Sequence, residues 1–126
     1  MAEYKAKLLK NGGGNNEIIY SETERVIGEW IDGSTLYEKT VDCGALPNAT
    51  SKQVAHNISN IDTIIYVGGI AYAGSNFYPL PFVQVSGGNV QGVRINASST
   101  NIIILSSYDV SSLTSSYITL RYTKTA

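Results

Sequence analysis

Tyr20–Val41 reads YSETERVIGEWIDGSTLYEKTV, and at its centre Asp32-Gly33 separates two segments rich in β-branched and aromatic residues. Asp-Gly suits the positive φ angles of a two-residue type I′ turn, so the stretch predicts a β-hairpin. One strand is expected from Arg25 to Ile31 and the return strand from Ser34 to Val41. On the return strand Leu36, Glu38 and Thr40 fall on one face and Tyr37, Lys39 and Val41 on the other, and neither face is purely apolar. Such a strand is half buried, or a partner chain covers part of it. Trp30, just before the turn, is expected to anchor the hairpin against the core or a neighbouring subunit. Trp30, Asp32, Gly33 and Tyr37 are therefore the candidate hairpin and interface residues.

The same pattern of short strands and turn chemistry continues outward. Asp42–Ser51 reads as a loop and Gln53–Ile58 as a short strand, with Asn60 and Asp62 as turn residues. Thr63–Tyr72 is the most apolar stretch, and its Gly68-Gly69 predicts a buried strand with a bulge or bend. Ala73–Asn76 and Ser86–Asn89 read as turns. Between them Phe77–Val85 carries Pro79 and Pro81, which cannot donate ladder hydrogen bonds, so it is expected to be an edge strand or an ordered loop. Val90–Asn96 and Asn101–Leu105 read as strands, and Asp109–Ser115 as a polar crossover. In the closing strand Tyr117, Thr119 and Arg121 alternate with Ile118, Leu120 and Tyr122. Seven or eight short strands without helical periodicity predict an all-β fold, an antiparallel β-sandwich with jelly-roll-like connections.

The N-terminal part differs in kind. MAEYKAKLLK is helix-permissive, and Asn11–Asn16 is a flexible linker by composition. The expected organisation is an arm and Gly/Asn-rich linker over residues 1–19, followed by the sandwich over residues 20–126. A short arm on a tether packs on a neighbouring subunit or docks to a larger assembly, with Tyr4, Leu8 and Leu9 as candidate anchoring residues, or else is a disordered end.

At 126 residues the chain has room for one hydrophobic core. Only 15% of residues are charged and the net charge is −1, so electrostatics give no reason to expect nucleic acid or an anionic membrane as partner. No apolar run reaches membrane-helix length, and there is no signal-peptide apolar segment. The single cysteine, Cys43, excludes an intrachain disulfide framework and reads as a small buried hydrophobe.

Enzymatic constellations are hard to assemble from these residues. His56 is the one histidine, and it reads as a strand-surface or interface residue. No Gly-x-Ser-x-Gly elbow is present, and no spacing singles out a facing carboxylate pair. Asp32, Asp62 and Asp109 are accounted for by turns. There is no Cys/His cluster, calcium loop or phosphate loop, so no metal or cofactor is expected. Functional colour comes instead from nine tyrosines, two phenylalanines and one tryptophan, more than the core requires. Tyrosine offers an apolar face and a hydroxyl at low entropic cost, which suits protein interfaces and stacking on sugar rings. Tyr72, Asn76, Phe77 and Tyr78 gather at one turn and are the candidate receptor or partner contact.

Two blocks also carry a family resemblance. Tyr20-Ser21, Glu24, Val26-Ile27-Gly28, Trp30–Gly33 and Leu36–Thr40 resemble the "YST-E-x-V-G-x-W-I-D-G-K-P-L-Y-x-K-T" block of tail-fibre, head-fibre and other appendage proteins of tailed bacteriophages. Tyr117–Thr125, YITLRYTKT, resembles the "Y-x-T-L-x-Y-T-K-T" close of those domains. Ser34-Thr35 stands where Lys-Pro is commoner, and Glu22-Thr23 where Thr-Glu or Thr-Asp is usual. The resemblance implies a non-enzymatic virion structural protein, made in the host cytoplasm, that acts as a fibre or spike tip or decoration. It implies a homotrimer that touches other virion proteins and a host surface polysaccharide. A carbohydrate-binding module recognising host cell-wall glycans is the alternative expectation.

Overall fold

A computed structural model describes residues 18–125. Tyr4, Leu8 and Leu9 lie outside the described residues. Nine strands run in chain order: β1 (Arg25–Glu29), β2 (Thr35–Asp42), β3 (Ser51–Ala55), β4 (Ile61–Ala73), β5 (Asn76–Leu80), β6 (Phe82–Ser86), β7 (Asn89–Ala97), β8 (Asn101–Ser106) and β9 (Ser115–Lys124). They form two antiparallel sheets, β1-β2-β9-β4-β5 and β3-β8-β7-β6, that enclose one core as a β-sandwich. The ribbon β2–β3 and the ribbon β8–β9 cross together from one sheet to the other. β2 therefore pairs with β9 in the first sheet and β3 with β8 in the second, which is the jelly-roll-like part of the topology. The remainder consists of local hairpins, β4–β5 and the meander β6–β7–β8.

Alternation decides the inner faces. Ile118, Leu120 and Tyr122 of β9 and Ile102 and Ile104 of β8 point inward and are fully buried, each stabilising the fold by about 1.5–3 kcal/mol. Val93, Ala71 and Leu80 complete the strand contribution, and Cys43, Leu46, Ile58, Val110 and Leu113 close the core from the loops. The Asp109–Ser115 crossover is thus polar only in part. Its Asp109 makes the expected turn, accepting from the Ser111 amide at 2.9 Å and the Ser111 hydroxyl at 2.6 Å.

The hairpin forms where expected, but with a different turn. The Trp30 amide donates to the Ser34 carbonyl at 2.8 Å and the Gly33 amide to the Trp30 carbonyl at 2.9 Å, so the loop has three residues, not two. Gly33 alone among them has positive φ, 88°, as in a type I turn followed by a left-handed residue. The Asp32 carboxylate accepts from the Ser34 amide at 2.9 Å and holds this geometry. The first strand ends at Glu29 because the extra loop residue takes Trp30 and Ile31 out of the ladder. A two-residue turn with both φ angles positive is found elsewhere, at Gly87-Gly88 between β6 and β7.

Three further differences concern strand assignment. The bulges of β4 lie between Ile61 and Thr63 and between Ile64 and Tyr66, whereas Gly68 and Gly69 are regularly paired with Thr119 and Ile118. Asp62 belongs to β4, and the turn is made by Asn60 with φ of 59°. Phe77–Val85 is two edge strands in different sheets, with the chain passing from one sheet to the other at Leu80-Pro81.

Candidate binding surface

β9 lies between β2 and β4, and this placement brings the two resembling blocks into contact. Tyr37 pairs with Tyr122 across the ladder and their rings stack with centroids 5.9 Å apart. The Lys124 ammonium sits 5.2 Å from the Tyr37 ring centre and binds both Glu24 carboxylate oxygens, at 2.9 and 3.0 Å. The buried Tyr122 hydroxyl donates to the same carboxylate at 2.6 Å. Glu38, 4% exposed, accepts from Arg25 on one side and Arg121 on the other, each at 2.9 Å. A buried carboxylate needs such compensation, because a lone charge there would be expelled from the fold. Tyr37 is thus on the hairpin, and its half-buried ring packs against the core.

Burial pushes the Glu24 carboxyl up, but the Tyr122 hydroxyl and Lys124 ammonium favour its charged form more strongly, and its pKa lies below the ordinary 4.5. A depressed carboxyl contributes stability in full above its unfolded-state value and loses it as pH falls through the folded-state value. Glu24→Gln is therefore expected to cost about 1 kcal/mol at neutral pH, and the gap from the native protein should shrink once pH drops below about 4.5. Urea midpoints of both proteins measured between pH 7 and pH 3 check this. A gap independent of pH would contradict it.

The outer face of the first sheet carries a groove of about 540 Å³. Residues 20–22 run beside β2, held where the Thr40 amide donates to the Ser21 carbonyl at 2.8 Å. Tyr20, Tyr66, Ile70 and Tyr117 give the groove apolar walls, and Thr40, Thr119, Glu22 and Arg121 supply polar groups. The Thr40 and Thr119 hydroxyls are 2.8 Å apart, so one donates to the other and the second retains its own proton for another acceptor. Arg121 lies 4.7 Å over the Tyr66 ring. Asp42, and after it Tyr72, raise the Tyr117 hydroxyl above its ordinary pKa. These residues come from β2, β4, β9 and the segment before β1. Only the alternation within each strand was visible in the sequence, so the groove was missed.

The proposed turn cluster divides. Tyr72 and Phe77 meet on the outer face with ring centroids 5.7 Å apart, and Asn76 is exposed beside the two-residue Gly74-Ser75 turn. Tyr78 points inward and packs on Phe82 at 5.3 Å, because odd and even positions of a strand face opposite ways. Trp30 is half-buried.

The one histidine and the one cysteine are both buried. His56 is 1% exposed rather than at the strand surface, and both ring nitrogens serve the backbone. Nδ1 accepts from the Ile58 amide at 3.1 Å, which leaves the proton on Nε2 to be donated to the Ser98 carbonyl at 3.0 Å. The ring ties the β3–β4 connection to the β7–β8 turn. Cys43 is buried, and its thiol is pushed up to about 11 chiefly by desolvation. Among the described residues no three His, Cys, Asp or Glu side chains gather as a metal site would require, and no helix is long and apolar enough to cross a membrane. No family model, curated protein or solved structure matches the chain.

Proposed function

We propose that this domain is a non-enzymatic structural and adhesive part of a tailed-phage virion, a fibre or spike tip or decoration that mounts on the particle and contacts the host surface. The observation that supports this reading is the joining of the two resembling blocks in one unit. Residues Glu24, Tyr37 and Glu38 of the first block are bound to Arg121, Tyr122 and Lys124 of the second. The two likenesses are then one packing requirement within the first sheet rather than two independent coincidences. The arm of residues 1–19 attaches the domain to the particle, and the sandwich faces outward. Deleting residues 1–16 tests this. Particles assembled with the shortened chain should lack the protein, as read by immunogold labelling with an antibody against the sandwich. Undiminished labelling overturns the anchoring role, and failure to label particles bearing the full chain overturns the virion reading.

The outer-face groove favours a second reading, recognition of a host cell-wall glycan. Aromatic faces beside threonine hydroxyls and a guanidinium are the donor set a sugar ring uses. Titration with purified cell-wall polysaccharide separates the readings. Binding lost in Tyr66→Ala and Tyr117→Ala assigns the glycan to the groove, whereas no binding at millimolar sugar leaves a scaffolding role.

A further inference from the structure

An exposed sheet edge is a template for another strand, and folded proteins guard such edges with charge, proline or bulges. Three of the four edges among the described strands carry such a guard. β1 has Arg25, Glu29 and a register shift between Val26 and Gly28. β3 has Lys52, whose ammonium turns back to the Cys43 and Ala45 carbonyls at 2.6 and 2.7 Å. β5 has Pro79. Its pairing with β4 across the two-residue Gly74-Ser75 turn makes Asn76, Tyr78 and Leu80 the bonded positions, so Phe77 and Pro79 face the open side and proline offers no donor there.

β6, Phe-Val-Gln-Val-Ser, carries none of these devices. It has no charge, no proline and an unbroken register with β7 from Phe82↔Val93 to Ser86↔Asn89. The direction of its backbone groups is fixed by its neighbour. Gly92 exchanges hydrogen bonds with Ser107 on the β8 side, its carbonyl accepting from the Ser107 amide at 3.0 Å and its amide donating to the Ser107 hydroxyl at 2.9 Å. Its partner Val83 is therefore a non-bonded position of the β6–β7 ladder, and so, two residues on, is Val85. The amide and carbonyl of both valines point out of the sheet edge. Their side chains are 73% and 71% exposed, and with Val90, also 71% exposed, they form an apolar strip. The whole run of residues 63–93 has no charged side chain.

We propose that β6 is a self-association strand that pairs antiparallel with β6 of a second copy of this chain. Two features select a copy of itself over an unrelated peptide. Val-Gln-Val is palindromic, so antiparallel pairing centred on Gln84 sets Val83 against Val85 of the other copy twice over. These are the positions whose amides and carbonyls face outward, and four hydrogen bonds form at once. From Phe82 to Val93 the β6–β7 hairpin also carries no charged side chain, so this strip meeting its own image brings no like-charge repulsion and buries no unpaired ion. The valine strips of the two copies then lie side by side on one face of a continuous eight-stranded sheet. This contact is two-fold and separate from the three-fold packing that the resemblance implies, and it holds whether or not the protein is a virion component.

Light-scattering mass of the full chain after size exclusion, together with Val85→Lys, tests the proposal. The native protein should show an even multiple of 13.6 kDa, and Val85→Lys should halve it with an unchanged circular dichroism spectrum. Because Val85 is exposed, the lysine has no core to disturb. A native monomer or an odd multiple overturns the proposal, as does a mass that Val85→Lys leaves intact; residues 1–17 lying on the chain's own β6 would give the monomer. A second readout uses native protein alone. Hydrogen exchange of the Val83 and Val85 amides should be slowed at high concentration and accelerate on dilution, and concentration-independent exchange overturns the pairing.

Discussion

Tyr122→Ala is expected to destabilise the domain by about 3–5 kcal/mol, lowering the thermal midpoint by roughly 10–20 °C in a calorimetric scan. The side chain is fully buried at the middle of the first sheet, and its loss removes three things together. A cavity opens beside Ile64 and Tyr37, its neighbours across the two ladders. Tyr37 loses its stacking partner. Glu24 loses a charge-assisted hydrogen bond at 2.6 Å and keeps only Lys124. Tyr122→Phe isolates the last of these, since it keeps the ring and removes the hydroxyl. Its expected cost is about 1.5–3 kcal/mol. If the two variants were equally destabilised, the ring would contribute nothing and the packing described for β9 would be wrong.

Gly69→Ala is the second large effect. A Cβ at Gly69 would meet the backbone carbonyl oxygen of Tyr117 well inside contact distance, on a strand whose other neighbours are the Cα and side chain of Ile118. The backbone of β9 at Tyr117 is paired with β2 on one side and β4 on the other and cannot yield without breaking the ladder. The expected loss is about 3 kcal/mol or more. Gly68→Ala is the control. Its Cβ would meet only the ring of Tyr66, a residue 44% exposed that can swing toward solvent, so a cost of about 1 kcal/mol is expected. Urea midpoints of the two variants should therefore differ widely. Similar values would mean that β4 and β9 do not approach as closely as described.

The strands were legible in the sequence because their signals are local. Alternation placed Ile118, Leu120 and Tyr122 together on the buried face, and turn residues marked nearly every reversal. The Asp32-Gly33 loop was misread in type because Asp-Gly fits both a two-residue turn and a three-residue turn with glycine last. The Asp32 carboxylate bond to the Ser34 amide favours the latter. Gly68-Gly69 suggested a bend, but there the glycines make room, one for Tyr66 and one for the neighbouring backbone. From the sequence His56 reads as a strand-surface or interface residue, because a lone polar residue in a strand is usually exposed. Its partners, the Ser98 carbonyl and the Ile58 amide, lie 42 residues and two residues away, and nothing in the spacing signals the first. The groove escaped for the same reason, since residues from four separate segments line it and pairing order alone brings them together.

The position of β9 has a consequence for synthesis. It is the last of the nine strands to be made, yet it stands between β2 and β4, so until it emerges neither of those strands has the neighbour that joins it to the rest of the first sheet. A nascent polypeptide can pair β1 with β2, β4 with β5 and the whole second sheet beforehand, but the step that closes the first sheet joins segments some eighty positions apart, a connection that makes folding slow. Translation products cut short before Ser115 would lack the strand that joins β2 to β4 and could not complete the first sheet.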